Sequence, residues 1–137
     1  MGQYPAVVFP DAVAVVVEFL NDNLSALGAT ATAYDAPPSP RPDEFVTVRR
    51  TGGPALGKVW DAAQLTFESW STTTEGASDL AQIVRAAMRT ATGEVVSSTA
   101  IGRVQEASGP ADLPDPLSDQ SRFSQTFVVN LRGDTPT

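Results

Sequence analysis

The chain has 137 residues, 16 of them acidic and nine basic, which gives a formal net charge of −7, and it contains no cysteine and no histidine. This length suits one compact domain that buries roughly two thirds of the surface exposed by the unfolded chain. The composition excludes thiolate metal sites, disulfides and thiol nucleophiles, and it removes the imidazole on which most general bases depend. The negative charge argues against wrapping of nucleic acid, whose phosphates need a basic partner.

The ends and the hydropathy of the chain predict a single domain, residues 1–137, without a membrane segment. No apolar run approaches the ~20 residues of a bilayer span. The first residues lack the basic start of a secretory signal. We expect residues 1–9 and 134–137 to be flexible termini.

The first predicted element is a helix over residues 11–24. Asp11 follows Pro10 and suits the N-cap, because its carboxylate can accept hydrogen bonds from free backbone N–H groups. The β-branched run over residues 13–17 favours a strand instead, but the length of the segment, its cap and its polar side favour a helix. Apolar residues at helical spacing form one stripe: Val13, Val16, Val17, Leu20 and Leu24.

A β-hairpin dominates the middle of the chain. Residues 29–34 are predicted as a short strand, and residues 35–43 form an extended connector because their four prolines cannot join a sheet ladder. Residues 44–51 and 58–71 are predicted as strands, joined through a turn at residues 52–54. Residues 45–70 should therefore form a long β-hairpin.

The second half begins with a helix that starts at Thr73 or Thr74 and ends before Gly93, with apolar residues at helical spacing over residues 80–88. Residues 94–106 and 122–131 are predicted as strands, and residues 107–121 as a long proline-rich loop. The fold class is therefore α+β, with two helices packed on one face of a mainly antiparallel sheet that contains a long β-hairpin.

Acidic side chains are the most abundant potential catalytic groups, and three of them lie in one predicted loop: Asp112, Asp115 and Asp119. A carboxylate cluster can hold a hard cation, but the prolines between these residues, Pro114 among them, break any regular ligand spacing. We therefore expect solvated loop acids, with no metal and no cofactor. No serine or threonine lies in a nucleophile elbow with a histidine base, so the sequence offers no catalytic residues.

The segment Arg49, Arg50, Gly52, Gly53 and Pro54 has the composition of a phosphate-binding loop. Such a loop requires a lysine and a hydroxyl residue at the start of a helix, whereas here a strand is predicted to follow, so a turn is the better interpretation. Adjacent strand residues point to opposite faces, and at most one of the two arginines serves a given surface. That arginine either pairs with an acid of a neighbouring subunit through bidentate contacts or is simply exposed.

Trp70 is predicted on the sheet face opposite Leu65 and Phe67, because strand residues alternate between faces. Packing within the sheet is the common role of such a tryptophan. Tryptophan is also enriched at the centre of protein interfaces, and we expect Trp70 to lie at a contact with another subunit.

The order of several motifs resembles the tail terminators of long-tailed (siphovirus, lambda-like) bacteriophages of actinobacteria. The motifs are EFVTVRRTGGP at residues 44–54, DAAQLTFESW at 61–70, ASDLAQ at 77–82, the loop at 109–119 and LRG at 131–133. Together they span most of residues 10–133.

The resemblance implies a virion protein of the tail neck, assembled in the host cytoplasm. It implies a hexameric ring that caps the head-proximal end of the tail tube, stops tube polymerisation and provides the surface for head attachment. The partners would be other copies of the chain, the major tail tube protein and the head–tail connector protein, while DNA passes through the lumen without specific binding. The family has no catalytic residues and no cofactor.

Exposed loops, together with Trp70 on its strand, then supply the candidates for subunit or tube interfaces: Arg49, Arg50, Gly52, Gly53, Pro54, Trp70, Asp112, Pro114, Asp115 and Asp119. Two other functions remain open. One is another neck, head–tail joining or tail-completion protein. The other is a monomeric module that uses its acidic face to bind a basic protein partner.

Overall fold

A computed structural model describes residues 5–136, which form two α-helices, a short 3₁₀ helix and seven strands. The bounds in chain order are α1 (Ala12–Asn23), the 3₁₀ helix (Ser25–Leu27), β1 (Thr32–Tyr34), β2 (Phe45–Gly52), β3 (Ala55–Leu56), β4 (Trp60–Ser71), α2 (Thr74–Met88), β5 (Val95–Val96), β6 (Thr99–Asp112) and β7 (Ser121–Arg132).

The strands form one sheet in the order β1-β2-β4-β7-β6-β5, with β3 paired to β4 beside this path. The pairing is antiparallel except between β1 and β2. The predicted α+β class and the predicted long hairpin, β2 with β4, are confirmed.

The central strand β4 shows how the two faces of the sheet differ. Its odd-numbered residues over 61–69 are buried, and its even-numbered residues over 60–68 are half-buried. Leu65 and Phe67 on the buried side join a core that also contains Leu20 of α1 and Leu80 of α2. Both helices therefore cover the same face, as predicted, and no helix of the described chain covers the other face.

Side-chain caps fix where the two helices begin. The carboxylate of Asp11 accepts a hydrogen bond from the backbone N–H of Ala14 at 3.1 Å, which confirms the predicted N-cap of α1. The hydroxyl of Thr73 accepts a hydrogen bond from the N–H of Gly76 at 3.0 Å and caps α2 in the same way. The helix, and not the competing strand, therefore forms at the β-branched run of α1.

The prediction of one strand over residues 94–106 is wrong, because Ser97 and Ser98 interrupt it with φ values of 45° and 71°. They form the two-residue connection between β5 and β6, in which Val96 lies opposite Thr99. A two-residue hairpin turn of this kind needs positive φ at both central positions. Serine gives no sequence signal for that conformation.

The prediction of a loop over residues 107–121 is also wrong in its first part, since β6 continues to Asp112 and the loop covers residues 113–120. Pro110 is tolerated in this strand because, within the described chain, no strand pairs with the outer side of β6 beyond Ala100. Register shifts on both sides of Ser108 accommodate the irregular stretch.

Parts of the two predicted flexible termini are tied to each other. Val8 and Asp134 exchange two backbone hydrogen bonds of 2.8 and 3.1 Å, and the N–H of Gly133 donates to the carbonyl of Val59 at 2.7 Å. Residues 1–4 and 137, which belong to the same prediction, lie outside the described residues.

Candidate assembly interface

Arg50 holds the end of the β2–β4 hairpin together from within the chain. Its guanidinium donates to both carboxylate oxygens of Asp61 at 2.6 and 2.8 Å and to the carbonyls of Gly52 and Gly53 at 3.1 and 3.0 Å. Asp61 is buried. The hydrogen bond to Asp61 raises the pKa of Arg50 above its ordinary value, although burial opposes the shift. The chain thus supplies its own acid to Arg50, and a pairing of one of the two arginines with an acid of a neighbouring subunit stays a prediction.

Residues 49–59, here called the hairpin tip, contain the predicted turn. Gly53 has a φ of 95°, and a Cβ atom there would lie 2.1 Å from the carbonyl oxygen of Ala62. The carbonyl of Pro54 accepts a hydrogen bond from the N–H of Ala62 at 3.0 Å, and β3 then pairs with the start of β4. The predicted position of the turn is wrong, because the chain continues past residues 52–54 along β4 as β3 and reverses only at residues 57–59. No helix of a phosphate-binding loop follows the glycines.

Arg49 differs from its neighbour Arg50 because no acidic side chain of the described residues forms an ion pair with it. Its side chain is exposed, and none of the ion pairs formed within residues 5–136 includes it. Leu56, further along the hairpin tip, has 56% of its surface exposed. The tip therefore presents a cation and an apolar side chain on a rigid support.

Trp70 is a buried residue, with only 3% of its surface exposed. Its ring stacks on Phe45 at a centroid distance of 5.2 Å, and its indole N–H donates to the hydroxyl of Thr47 at 3.2 Å. The guanidinium groups of Arg41 and Arg122 lie 5.0 and 5.1 Å from the ring centroid. The prediction that Trp70 offers surface to another subunit is corrected, because its own chain already covers the ring.

Asp115 organises the loop over residues 113–120. Its buried carboxylate accepts hydrogen bonds from the hydroxyl of Ser118 at 2.8 Å, the backbone N–H of Leu117 at 3.1 Å and Arg41 at 3.3 Å. These bonds, that of Ser118 first, lower the pKa of Asp115 despite the opposing effect of burial. Asp115 is therefore a structural residue of the loop and not an exposed contact.

Two further bonds fasten this loop to the body of the protein. The side-chain amide of Gln120 donates to the carbonyl of Pro42 at 2.9 Å, in the connector before β2. Arg122 donates to the carbonyl of Leu113 at 2.8 Å. The predicted candidates Asp112, at the end of β6, and Pro114 and Asp119, in the loop, are exposed. So are Leu113, Pro116 and Leu117 of the loop, and Leu117 is 90% exposed.

Residues 5–136 contain no group of three acidic side chains arranged to hold a metal ion. Asp112 and Asp119 remain in solvent while the oxygens of Asp115 are used inside the loop. In the part of the chain that the structure describes, no helix is long and apolar enough to cross a membrane.

Comparison with known proteins identifies the family. Residues 8–136 match the model of the family described as phage tail termination protein. The chain belongs to this family. The family consists of structural virion proteins, and the resemblance found in the sequence is confirmed at this level.

A solved structure shares the fold of this chain. A chain of the structure titled "Virion of native gene transfer agent (GTA) particle" superposes with a TM-score of 0.65 at 18% identity, covering 89% of this chain and 95% of that chain. At that identity the likeness shows the fold alone. No curated protein matches the chain.

The sequence interpretation did not single out two leucines that are exposed in the structure, Leu56 and Leu117. Leu56 ends the short strand β3 just before the turn at residues 57–59, and Leu117 lies in the proline-containing loop over residues 113–120. An isolated leucine between turn residues was the available signal. Only the backbone path shows that both point away from the core.

Proposed function

We propose that this tail termination protein forms a ring, six copies by the resemblance, that caps the head-proximal end of the tail tube of a long-tailed phage. The ring stops tube polymerisation and provides the surface to which the head connector attaches. The family match over residues 8–136 is the observation that carries this proposal.

The geometry of the subunit supports a ring. In a cyclic assembly, one surface of each subunit meets a different surface of the next. The hairpin tip and the loop over residues 113–120 are exposed but fixed by internal bonds to Asp61 and Asp115. Segments that are already ordered lose less conformational entropy on docking. Termination then requires only that one end of the ring matches the tube and the other does not.

The charge of the chain supports passage of DNA through the lumen. With a net charge of −7, the subunits repel the phosphate backbone on average. A lumen with this charge balance lets DNA slide through without specific binding.

We assign the loop over residues 113–120 to contacts outside the ring, with the tube or the connector. Leu117 projects from it with 90% of its surface exposed, and Asp112 and Asp119 flank it. Leu117→Ser should leave folding unchanged within about 0.5 kcal/mol, since it removes no internal contact. The variant should form rings but fail to cap tubes or to join heads; normal capping and joining would remove this loop from the proposal.

Native mass spectrometry and negative-stain images test the proposed function directly. The purified protein, added to polymerising major tail tube protein, should form rings at one end of each tube and stop its growth. A protein that stays monomeric and leaves tube growth unchanged would refute the proposal and favour a monomeric binding module.

A further inference from the structure

The sheet face opposite the two helices, here called the helix-free face, differs in charge from the rest of the chain. It consists of the even-numbered residues of β4 and β7, which lie opposite one another, and of the odd-numbered residues of β2 that pair with them. These positions hold three basic side chains, Arg49, Arg122 and Arg132, but only one acid, Glu68.

Strand β6 adds a fourth arginine to this face. Ile101 and Val104 pack with the core on the helix side, and the register of β6 shifts between them. The two residues within the shift, Gly102 and Arg103, therefore point to the opposite side. A Cβ at Gly102 would lie 2.8 Å from the ring of Trp60, an even-numbered residue of β4, which places this part of β6 on the helix-free face.

The other acids of these strands lie on the helix side. Asp61, Glu106 and Asp112 are opposite odd-numbered residues of β7. With four arginines and one glutamate, the strand residues of the helix-free face have a charge balance of +3, whereas the net charge of the whole chain is −7. The face is therefore opposite in sign to the molecule that carries it.

Three of the four arginines are available to a partner. Arg122 forms an ion pair with Glu68 at 3.1 Å. Arg49, Arg103 and Arg132 are exposed, and none of the ion pairs formed within residues 5–136 includes them. An anionic partner can reach these three guanidinium groups without breaking a bond within the chain.

The centre of the helix-free face is uncharged and polar. The hydroxyl of Thr66 is hydrogen-bonded to those of Thr51 and Thr126 at 3.3 and 3.2 Å. The exposed side chain of Leu56 lies only at a corner, opposite Trp60. The core of a protein interface is rich in aromatic and apolar side chains, whereas phosphates are bound by arginine and by hydroxyl donors. The composition therefore favours a hydrated polyanion over a second protein.

We propose that the helix-free face lines the lumen of the ring and holds the phosphate backbone of duplex DNA loosely through Arg49, Arg103 and Arg132. This assignment deepens the proposed function and rests on it for the position of the face in the ring. Phosphate contacts carry no sequence information, and repulsion by the acids on the other surfaces of the chain keeps the contact weak. The DNA therefore slides along the face.

Fluorescence anisotropy of a short labelled DNA duplex, titrated with the purified protein at several salt concentrations, tests the binding. Replacing any one of the three arginines by glutamine should lower the slope of log K against log salt by about 0.9, since one phosphate contact is lost. The triple glutamine variant should bind at least about tenfold more weakly at low salt. Duplexes of different sequence should bind equally.

Two control variants separate charge from folding. Replacing the same three arginines by lysine keeps the charges and should retain most of the affinity and of the salt dependence. Arg89→Gln removes an exposed arginine at the end of α2 that forms no ion pair within residues 5–136. This variant should bind DNA as the wild type does, because Arg89 lies on the helix side.

Photo-cross-linking locates the bound DNA, since the natural chain has no cysteine. Gln105 is exposed and lies opposite Val128 on the helix-free face, and Ala86 is exposed on α2. An azidophenacyl group attached to Gln105→Cys should cross-link to the duplex, and the same group on Ala86→Cys should not.

The outcomes separate the DNA-binding face from the proposed function. Equal affinity and salt dependence in the wild type and the triple glutamine variant would overturn the assignment of the face. So would a triple glutamine variant that no longer forms rings in the absence of DNA, because the face would then be a contact between subunits. Both results leave the capping of tubes by the wild type untouched, and a wild type that caps no tubes would overturn the proposed function itself.

Discussion

Replacing Arg50 by alanine should destabilise the fold, whereas the same change at Arg49 should not. Arg50→Ala removes two charge-assisted hydrogen bonds to the buried carboxylate of Asp61 and two more to backbone carbonyls. Arg49→Ala removes an exposed side chain that forms no ion pair within residues 5–136. The two variants delete the same chemical group at adjacent positions of one strand.

The burial of the Arg50–Asp61 pair sets the size of the stability loss expected for Arg50→Ala. Breaking a fully buried ion pair by removing one partner costs about 3–5 kcal/mol, because a charge is left without compensation. The guanidinium of Arg50 is 37% exposed while the carboxylate of Asp61 is 5% exposed, so water replaces part of the lost interaction. We expect a loss of about 2–3 kcal/mol for Arg50→Ala and less than about 0.5 kcal/mol for Arg49→Ala.

Urea denaturation of both variants gives the two free energies of unfolding. Adding Asp61→Asn to Arg50→Ala should cost less than the sum of the single changes, because the second change removes the charge that the first left unpaired. Equal stabilities for Arg50→Ala and Arg49→Ala would refute the assignment of Arg50 as an internal residue of the hairpin.

Two further predictions concern the exposed segments. Gly53→Ala should lower the free energy of unfolding, measured by urea denaturation, by about 2 kcal/mol or more, since its Cβ would meet the backbone at Ala62. Gly57→Ala has open space around its Cβ and should cost about 1 kcal/mol for its positive φ alone. Similar losses of stability in the two variants would contradict the clash at Gly53. Because the folded-state pKa of Asp115 is lowered from 3.8, its contribution to stability is complete above that pH and is lost as pH falls through the lower folded value. NMR protection of the Leu117 amide should follow this profile in the wild type and be weak and independent of pH in Asp115→Asn; a wild-type loop whose protection does not change on acidification would contradict the role of Asp115.

Local sequence patterns predicted the elements whose formation depends on nearby residues. The helical spacing over residues 80–88 and the cap at Thr73 predicted α2, and two apolar strands separated by a glycine-rich segment predicted the β2–β4 hairpin, although its turn lies at residues 57–59 and not at 52–54. Because both signals lie within a few residues of the element they specify, they remain visible without the rest of the fold.

The features that the sequence did not predict depend on residues far apart in the chain. Alternation along β4 placed Trp70 on the face opposite Leu65, but its burial comes from Arg41 and Arg122, which lie far from it in sequence. In the same way, the sequence predicts a loop at Pro110, and only the sheet order shows that Pro110 lies in a part of β6 that forms the edge of the sheet. Of the site candidates, Arg50 and Asp115 form hydrogen bonds within the chain, to Asp61 and Ser118. The sequence did not predict these bonds, because spacing alone does not identify such partners.

The length distribution of tails made by phage that lack this gene is the most direct test of the terminator function. Negative-stain images of lysates should show tails longer than those of the wild type and without heads, and the wild-type gene supplied in trans should restore the normal length. Tails of normal length that merely fail to join heads would contradict termination and identify the protein as a head–tail joining factor.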